Sequence, residues 1–361
     1  MKRLPIEIKS LSVKELRSCS DADPRMIGAF SANPFSASDA SIAKIAGYCE
    51  GVEAGHEFVF PLRLRTPIGE IDVLAGSSLF VNQEYRRSGL GMDLPELRWQ
   101  KSPSKVALGA ALSQMALPVH QFLDYNVFPL PRYIMLWRSR SVVEMRLKGV
   151  FCKAISFIID LGIFFYSLLL RVGAAWCLRG IRVDEVGCDD EQTLNCMAEL
   201  VAADTAFFSE VHDENWFKWQ MTRSFSKDGP LRLFVAKSEG DIVGFCMIKK
   251  RFHEQASHRG FRNVWLGSIV EWQMKNGYEK MLGWFLVRIA LKLKSEGMDA
   301  VEIPTADASL NRFLRRIGWR QVGESNFVIK AGEGSTLYGN EDMKDPRNWR
   351  LRPAMGDAGL S

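Results

Sequence analysis

The stretch FVNQEYRRSGLG, from Phe80 to Gly91, ends an apolar run, sets two arginines side by side and closes on two glycines one residue apart. Upstream, EIDVLAGSSLFV is a long β-rich run; downstream, a short helix pattern begins and is interrupted by Pro95. Strand, glycine loop and helix together suit an anion. A helix start offers N–H groups that the helix itself does not use, at the positive end of its dipole. Glycine lets backbone approach a phosphate with no Cβ in the way, and arginine hydrogen-bonds phosphate oxygens. The same residues also fit a tight turn with surface arginines. No third glycine follows and no Lys-Ser/Thr pair, so the loop is neither the dinucleotide fingerprint nor the Lys-containing P-loop.

Working outward, ASIAKIAGYCEG and GHEFVFPLRL read as two strands around a glycine turn. After the loop, KVALGAA reads as a buried strand, SQMALPVHQFL as a helix and YNVFPLPRYIMLW as a closing strand. The same order returns later. RLFVAKSEGDIVGFCMIKK is a hairpin turning near Gly240 and Asp241, and FRNVWLGSIVEW is a long strand. GYEKMLGWFLVRIALKLKSEG is an amphipathic helix with Met281, Phe285, Ile289 and Leu293 on one stripe. DAVEI, DASLNRFLRRIG and WRQVGESNFVIK follow as strand, helix and strand. The expected division is an N-terminal domain over 1–140, a hydrophobic, basic-flanked linker helix over 141–182, a C-terminal domain over 183–330 and a tail over 331–361.

A length of 361 residues suits two domains, and 47% hydrophobic with 25% charged residues is globular composition. A net charge of +5 is too small an excess to imply a nucleic-acid partner. The seven cysteines are scattered, with no CxxC spacing and few histidines near them, so no metal is expected and reduced cytosolic thiols are the plain account. MKRLPIEIKSLSVKEL lacks the apolar core of a secretory signal, and a cytoplasmic protein is expected.

LFVNQEYRRSGLG resembles motif A of the GNAT acetyltransferase superfamily, a Gln/Arg-x-x-Gly-x-Gly/Ala loop filled here by Arg86, Gly89 and Gly91. Val81, Glu84, Tyr85 and Arg86 are similar to the usual end of that family's fourth strand, and LPVHQFLDYNVFPLPRYI resembles its final helix and strand. The resemblance covers Ser41 to Arg138. It implies an α/β protein of two tandem GNAT-like domains, each a mixed, mostly antiparallel sheet flanked by helices. It also implies acetyl-CoA, or another acyl-CoA, as co-substrate. The diphosphate would lie on Arg86, Arg87, Ser88, Gly89, Leu90 and Gly91, and the pantetheine arm along Leu79, Phe80 and Val81. The second Arg at 87, Ser88 where Gly-Lys is common, Pro95 and Asp124 depart from the pattern.

In such enzymes an acceptor amine or hydroxyl attacks the thioester, a base takes its proton and an acid protonates the departing thiolate. The resemblance points to Glu70 or Asp72 as base and to His120, or Tyr125 if the register slips, as acid. Asp124, four residues beyond His120, could raise the histidine's pKa if the helix continues. Trp216, Trp219 and Trp272 fit either a sugar platform or packing. In the second half Gly277 and Gly283 are too far apart for the loop, so that half reads as degenerate, shaping the site of a small polar acceptor such as an amino sugar or polysaccharide precursor. A non-catalytic binding protein and an aminoacyl-tRNA-dependent transferase are the alternatives.

Lys153 to Gly180 is the most apolar segment, and the surrounding Arg132 to Arg182 carries nine Lys/Arg against two Asp/Glu. A transmembrane span is not expected: Asp160 at a bilayer centre would cost roughly 2.5–3.5 kcal/mol, and a span would separate the halves. The segment is expected either as an interdomain core helix or as a peripheral contact, through 151–179, with anionic lipid at the inner membrane face.

Overall fold

The computed structural model describes residues 5–19, 24–36, 38, 40–112, 115–139, 143, 150–187, 189–222, 231–253 and 263–354. Cys188 and the tail beyond 354 lie outside them. The chain forms two compact units that interleave along the sequence. The first comprises Met1–Leu130, Asp204–Phe225 and Ser325–Ser361, and the second Pro131–Ala203 and Ser226–Glu324.

The first unit contains β1 (Ile6–Ser12), α1 (Val13–Arg17), α2 (Pro24–Ser31), β2 (Ile42–Cys49), β3 (Val52–Thr66), β4 (Gly69–Val81), α3 (Leu90–Lys101), β5 (Val106–Leu112) and α4 (Leu117–Phe122). Its strands run in the order β1-β2-β3-β4-β5-β13, with β13 formed by Arg320–Ala331. Pairing is antiparallel from β1 to β4 and parallel between β4 and β5. β2 and β3 turn at Glu50 and Gly51, both with positive φ. Ile45, Ala54, Val59, Leu74, Leu90 and Leu94 form the core beneath α3. Pro95 does not interrupt the helix as expected: α3 runs through it to Lys101. Proline lacks the N–H that an interior helical residue would supply, and the buried Leu90 and Leu94 hold the helix on the sheet on its N-terminal side. β8 (Ser209–Glu210) adds to β3, and α7 (Glu214–Thr222) follows it.

The second unit contains β6 (Asn126–Leu136) from Pro131 onward, α5 (Val150–Cys177), β7 (Ile181–Val186), α6 (Glu191–Ala202), β9 (Arg232–Ser238), β10 (Asp241–His253), β11 (Val264–Met274), α8 (Leu282–Ser295), β12 (Ala300–Pro304) and α9 (Ala308–Arg316). Its strand order is β6-β12-β11-β10-β9-β7. Phe285, Ile289 and Leu293 of the predicted stripe are buried, and Met281 packs against the same cluster.

The closing strands differ from the consecutive reading of the sequence. Arg132–Leu136 of β6 pairs with β12 in the second unit, and Asn326–Ala331 of β13 pairs with β5 in the first. Each half of the sequence thus supplies the strand that closes the other unit. A ladder's hydrogen bonds are the same whichever segment provides them, so strand periodicity carries no record of the exchange.

Candidate active site

β4 pairs with β5 over only three positions, Leu74 with Ala107, Ala75 with Leu108 and Gly76 with Gly109. Beyond Gly76, among the described residues, β4 continues along β3 with no pairing toward β5. At the same place the β3–β4 register slips: His56 faces Phe80 but Phe58 faces Ser77. Ser78 takes up the extra residue with φ of 52°. This bulge turns the strand and frees backbone polar groups for another partner. The strand end is partly uncovered, with Phe80 47% exposed.

The glycine loop lies directly beyond. A short 3₁₀ turn, Gln83–Tyr85, leads to Arg86 and Arg87, both exposed, and Arg86 Nε donates to the Val81 carbonyl at 3.3 Å. Gly89 has φ of 98° and caps α3 without a side-chain acceptor; that conformation favours glycine. Gly91 has no such need. A Cβ there would meet only Val81 Cγ2, at 3.8 Å. That position, at the start of α3 and beside the end of β4, is therefore uncrowded. Ser88 Oγ accepts from Leu90 N–H at 3.3 Å and Leu90 is core, so these two shape the loop. Asp93 puts one exposed carboxylate in the first turn, against the two arginines.

Near the opening lies a buried polar cluster of which sequence reading found only Tyr125. Glu57 of β3 and Arg98 of α3 are 1% and 0% exposed. Arg98 Nη1 donates to Glu57 Oε1 at 2.5 Å, and Nη2 donates to the Tyr125 hydroxyl at 3.2 Å. That hydroxyl donates to the Pro95 carbonyl at 3.2 Å. Gly76 makes room for the cluster: a Cβ there would lie 1.2 Å from Arg98 Nη1. Burial pushes the Glu57 carboxyl up to about 7, although Arg98 opposes it. Burial also raises the Tyr125 phenol, again against Arg98.

His120 is buried, its Nδ1 lies 3.0 Å from the Ala116 carbonyl and its ring meets Tyr125 edge-on at 4.9 Å. Burial, with Arg98 nearby, lowers its pKa to about 4. The expected help from Asp124 is not realised, because α4 stops at Phe122 and Asp124 turns away with φ of 60°. A neutral imidazole at this place is a poor proton donor. Glu70 and Asp72 differ from expectation too. They sit in the first half of β4, away from the bulge, exposed and paired with Arg63 at 3.8 and 3.2 Å. Strand pleating carries them roughly 17 Å or more along β4 from Ser77.

The structure offers His56 instead, at the register slip. Its Nδ1 lies 2.6 Å from Glu53 Oε1, and Lys44 holds Glu53 Oε2 at 2.6 Å. The ring packs beside Phe58 and Phe80 at 4.9 and 5.7 Å between centroids. Burial and then Lys44 lower its pKa, against the pull of Glu53. With Nδ1–H given to Glu53, Nε2 keeps its lone pair. The only sequence signal was an acidic residue three positions before a histidine near a hairpin.

The second unit repeats the plan with its opening filled. Among the described residues β11 pairs with β12 from Leu266 to Ser268, and the register against β10 slips at Val270. Yet Ile269, Val270, Trp272 and Met274 are all buried. A Cβ at Gly283 would lie 2.4 Å from Phe313, so that glycine serves helix packing rather than a ligand. Trp216, Trp219 and Trp272 are core residues. An open depression of about 730 Å³ in this unit, lined in part by Asp184, Glu185, Asp189 and Lys292, contains none of the predicted site residues. Among the described residues no group of His, Cys, Asp and Glu is arranged to hold a metal.

No family model matches the sequence, and no curated protein matches it. Solved structures do. A GCN5-related N-acetyltransferase from Anabaena variabilis is 11% identical with a TM-score of 0.53, over 91% of this chain and 73% of the other. The N-myristoyltransferase of Saccharomyces cerevisiae, solved with bound myristoyl-CoA, is 13% identical with a TM-score of 0.56, over 91% of this chain and 80% of that one. The chain shares the fold of these acyltransferases, in a two-domain form like that of N-myristoyltransferase.

Proposed function

We propose that the protein is an acyl-CoA-dependent acyltransferase whose reaction takes place where β4 parts from β5. The observation that supports this most is the open space at Gly91, beside the bulged and exposed end of β4 and bordered by Arg86 and Arg87. In this reading the loop amides and arginines hold the CoA diphosphate, and Leu79, Phe80 and Val81 flank the pantetheine arm. The acceptor is a small polar amine or hydroxyl compound, such as an amino sugar or polysaccharide precursor. The second unit binds no CoA.

The acceptor nitrogen or oxygen attacks the thioester carbon, and His56 Nε2 takes its proton while Glu53 stabilises the imidazolium. The C–S bond breaks, and the Tyr125 hydroxyl gives its proton to the sulfur. Arg98 stabilises the phenolate that remains until a proton returns to it, and His56, which is only partly buried, gives the acceptor's proton to solvent, so that both groups are reset. Holding the two reactants side by side supplies much of the rate, and acid–base groups typically add 10²–10⁴-fold.

A thermal-shift series with acetyl-CoA and longer acyl-CoAs tests the reading. A ligand at a hundred times its Kd stabilises by about 2.7 kcal/mol, so Tm rises by several degrees with the preferred chain. No shift with any acyl-CoA would contradict the proposal. A shift without turnover on amine and hydroxyl acceptors would favour a binding protein.

A further inference from the structure

α5 is apolar around most of its circumference, yet one narrow stripe of it is covered. Cys152, Ser156, Ser167, Leu170, Ala174 and Leu178 are buried, at the spacing of one helical face. That stripe is docked on the second unit. A Cβ at Gly173 would lie 2.6 Å from Trp284 of α8, and Lys294 Nζ donates to Ser167 Oγ at 2.7 Å. Tyr166 donates its hydroxyl proton to the Ile317 carbonyl, and Asp160 accepts from Ser139 N–H at 2.8 Å. The expected core helix is therefore not what forms: only 17% of its most apolar window is buried.

The opposite face presents Ile158, Leu161, Phe165, Leu169, Val172 and Trp176 to solvent. The charged residues of the helix are Lys153, Asp160 and Arg171. Helical spacing sets Asp160 on the docked stripe and both cations on its flank. The outward face is thus uncharged for roughly 35–40 Å, at 1.5 Å per residue. Such a face on a soluble monomer marks an interaction surface.

The neighbouring α9 is cationic. α9 ends where Tyr166 meets Ile317, and it exposes Arg312, Arg315 and Arg316; Arg320 follows, also exposed. No acidic residue lies within α9. Arg179 closes the far end of α5. A second copy of this chain would bring the same arginines against themselves across a two-fold contact, whereas anionic headgroups complement them. A transmembrane course would carry α8 and α9, with Lys292, Lys294 and these arginines, into hydrocarbon along with the docked seam.

We infer that α5 lies in the plane of an anionic membrane, its outward face in the boundary between headgroups and acyl chains, with the arginines of α9 on lipid phosphates. Flotation of the full chain tests this, using vesicles of phosphatidylglycerol mixed with phosphatidylcholine against phosphatidylcholine alone. The protein should float with the anionic vesicles and be released by salt or alkaline carbonate. Replacing Arg312, Arg315 and Arg316 together by Gln should weaken partitioning by on the order of a hundredfold. Phe165→Glu with Val172→Glu should abolish it at unchanged near-UV circular dichroism. Absence of flotation, equal binding to both vesicle types, or retention through carbonate would each overturn the inference. So would lipid-independent dimerisation in sedimentation that the double Glu variant abolishes.

Discussion

His56 owes its proposed role to three neighbours rather than to its own sequence position. Glu53 fixes its tautomer, Lys44 fixes Glu53, and the bulge at Ser78 brings both beside the open strand end. Because its pKa lies below the usual 6.5, the base is neutral at physiological pH and is lost as pH falls through that value. The pH profile of kcat/KM should therefore show an acid limb with an apparent pKa below 6.5. Glu53→Gln removes the group that raises this pKa, so the limb should move to lower pH while turnover falls through loss of orientation. A limb that stays in place would remove the dyad from the mechanism. Tyr125→Phe should lower kcat by roughly 10²–10⁴ with acyl-CoA affinity retained; unimpaired turnover would pass protonation to solvent. Of these residues only Tyr125 was legible in the sequence, through its place after the α4 pattern. His56 and Glu57 lie on adjacent positions of β3, and nothing local says which faces an opening and which faces Arg98.

At the scale of elements, the loop and the helix that follows it were legible because glycine spacing and positive charge are local properties. What the sequence did not reveal was why each glycine is there. Gly89 answers to backbone conformation, Gly76 to a guanidinium and Gly91 to empty space. α3 also does more than follow the glycine loop, since its later turns carry Arg98 to the buried Glu57 of β3. Arg98→Met would leave Glu57 buried without a counter-charge, which typically costs 3–5 kcal/mol. A loss of that order in the unfolding free energy from denaturant titration is expected at pH above 7, where the carboxyl is charged, together with a Glu57 pKa moved above about 7. A variant as stable as the parent would show that the pair contributes no net stability. Glu70 and Asp72 illustrate the opposite error. Being carboxylates on the right strand was not enough, because the strand's paired and open portions serve different ends.

For the whole molecule, the repeat of element order predicted two similar units, and the structure contains them. The order could not say that the units exchange closing strands. That exchange has a consequence for dissection. A fragment ending at residue 140 lacks β13, whose Phe327, Val328 and Ile329 are buried, and the segment Asp204–Phe225 that belongs to the first unit. The fragment should show no cooperative melt, and a cooperative one would mean that the first unit closes without these parts. The claim that CoA is held by one unit must be tested on the full chain. Isothermal titration of acetyl-CoA, or of the acyl-CoA that shifts Tm most, into the parent, Gly91→Glu and Gly277→Glu proteins does so directly. Gly91→Glu fills the open space with bulk and negative charge and should abolish binding at unchanged circular dichroism, while Gly277→Glu, in the corresponding loop of the second unit, should bind like the parent. Undiminished affinity in Gly91→Glu would contradict the account.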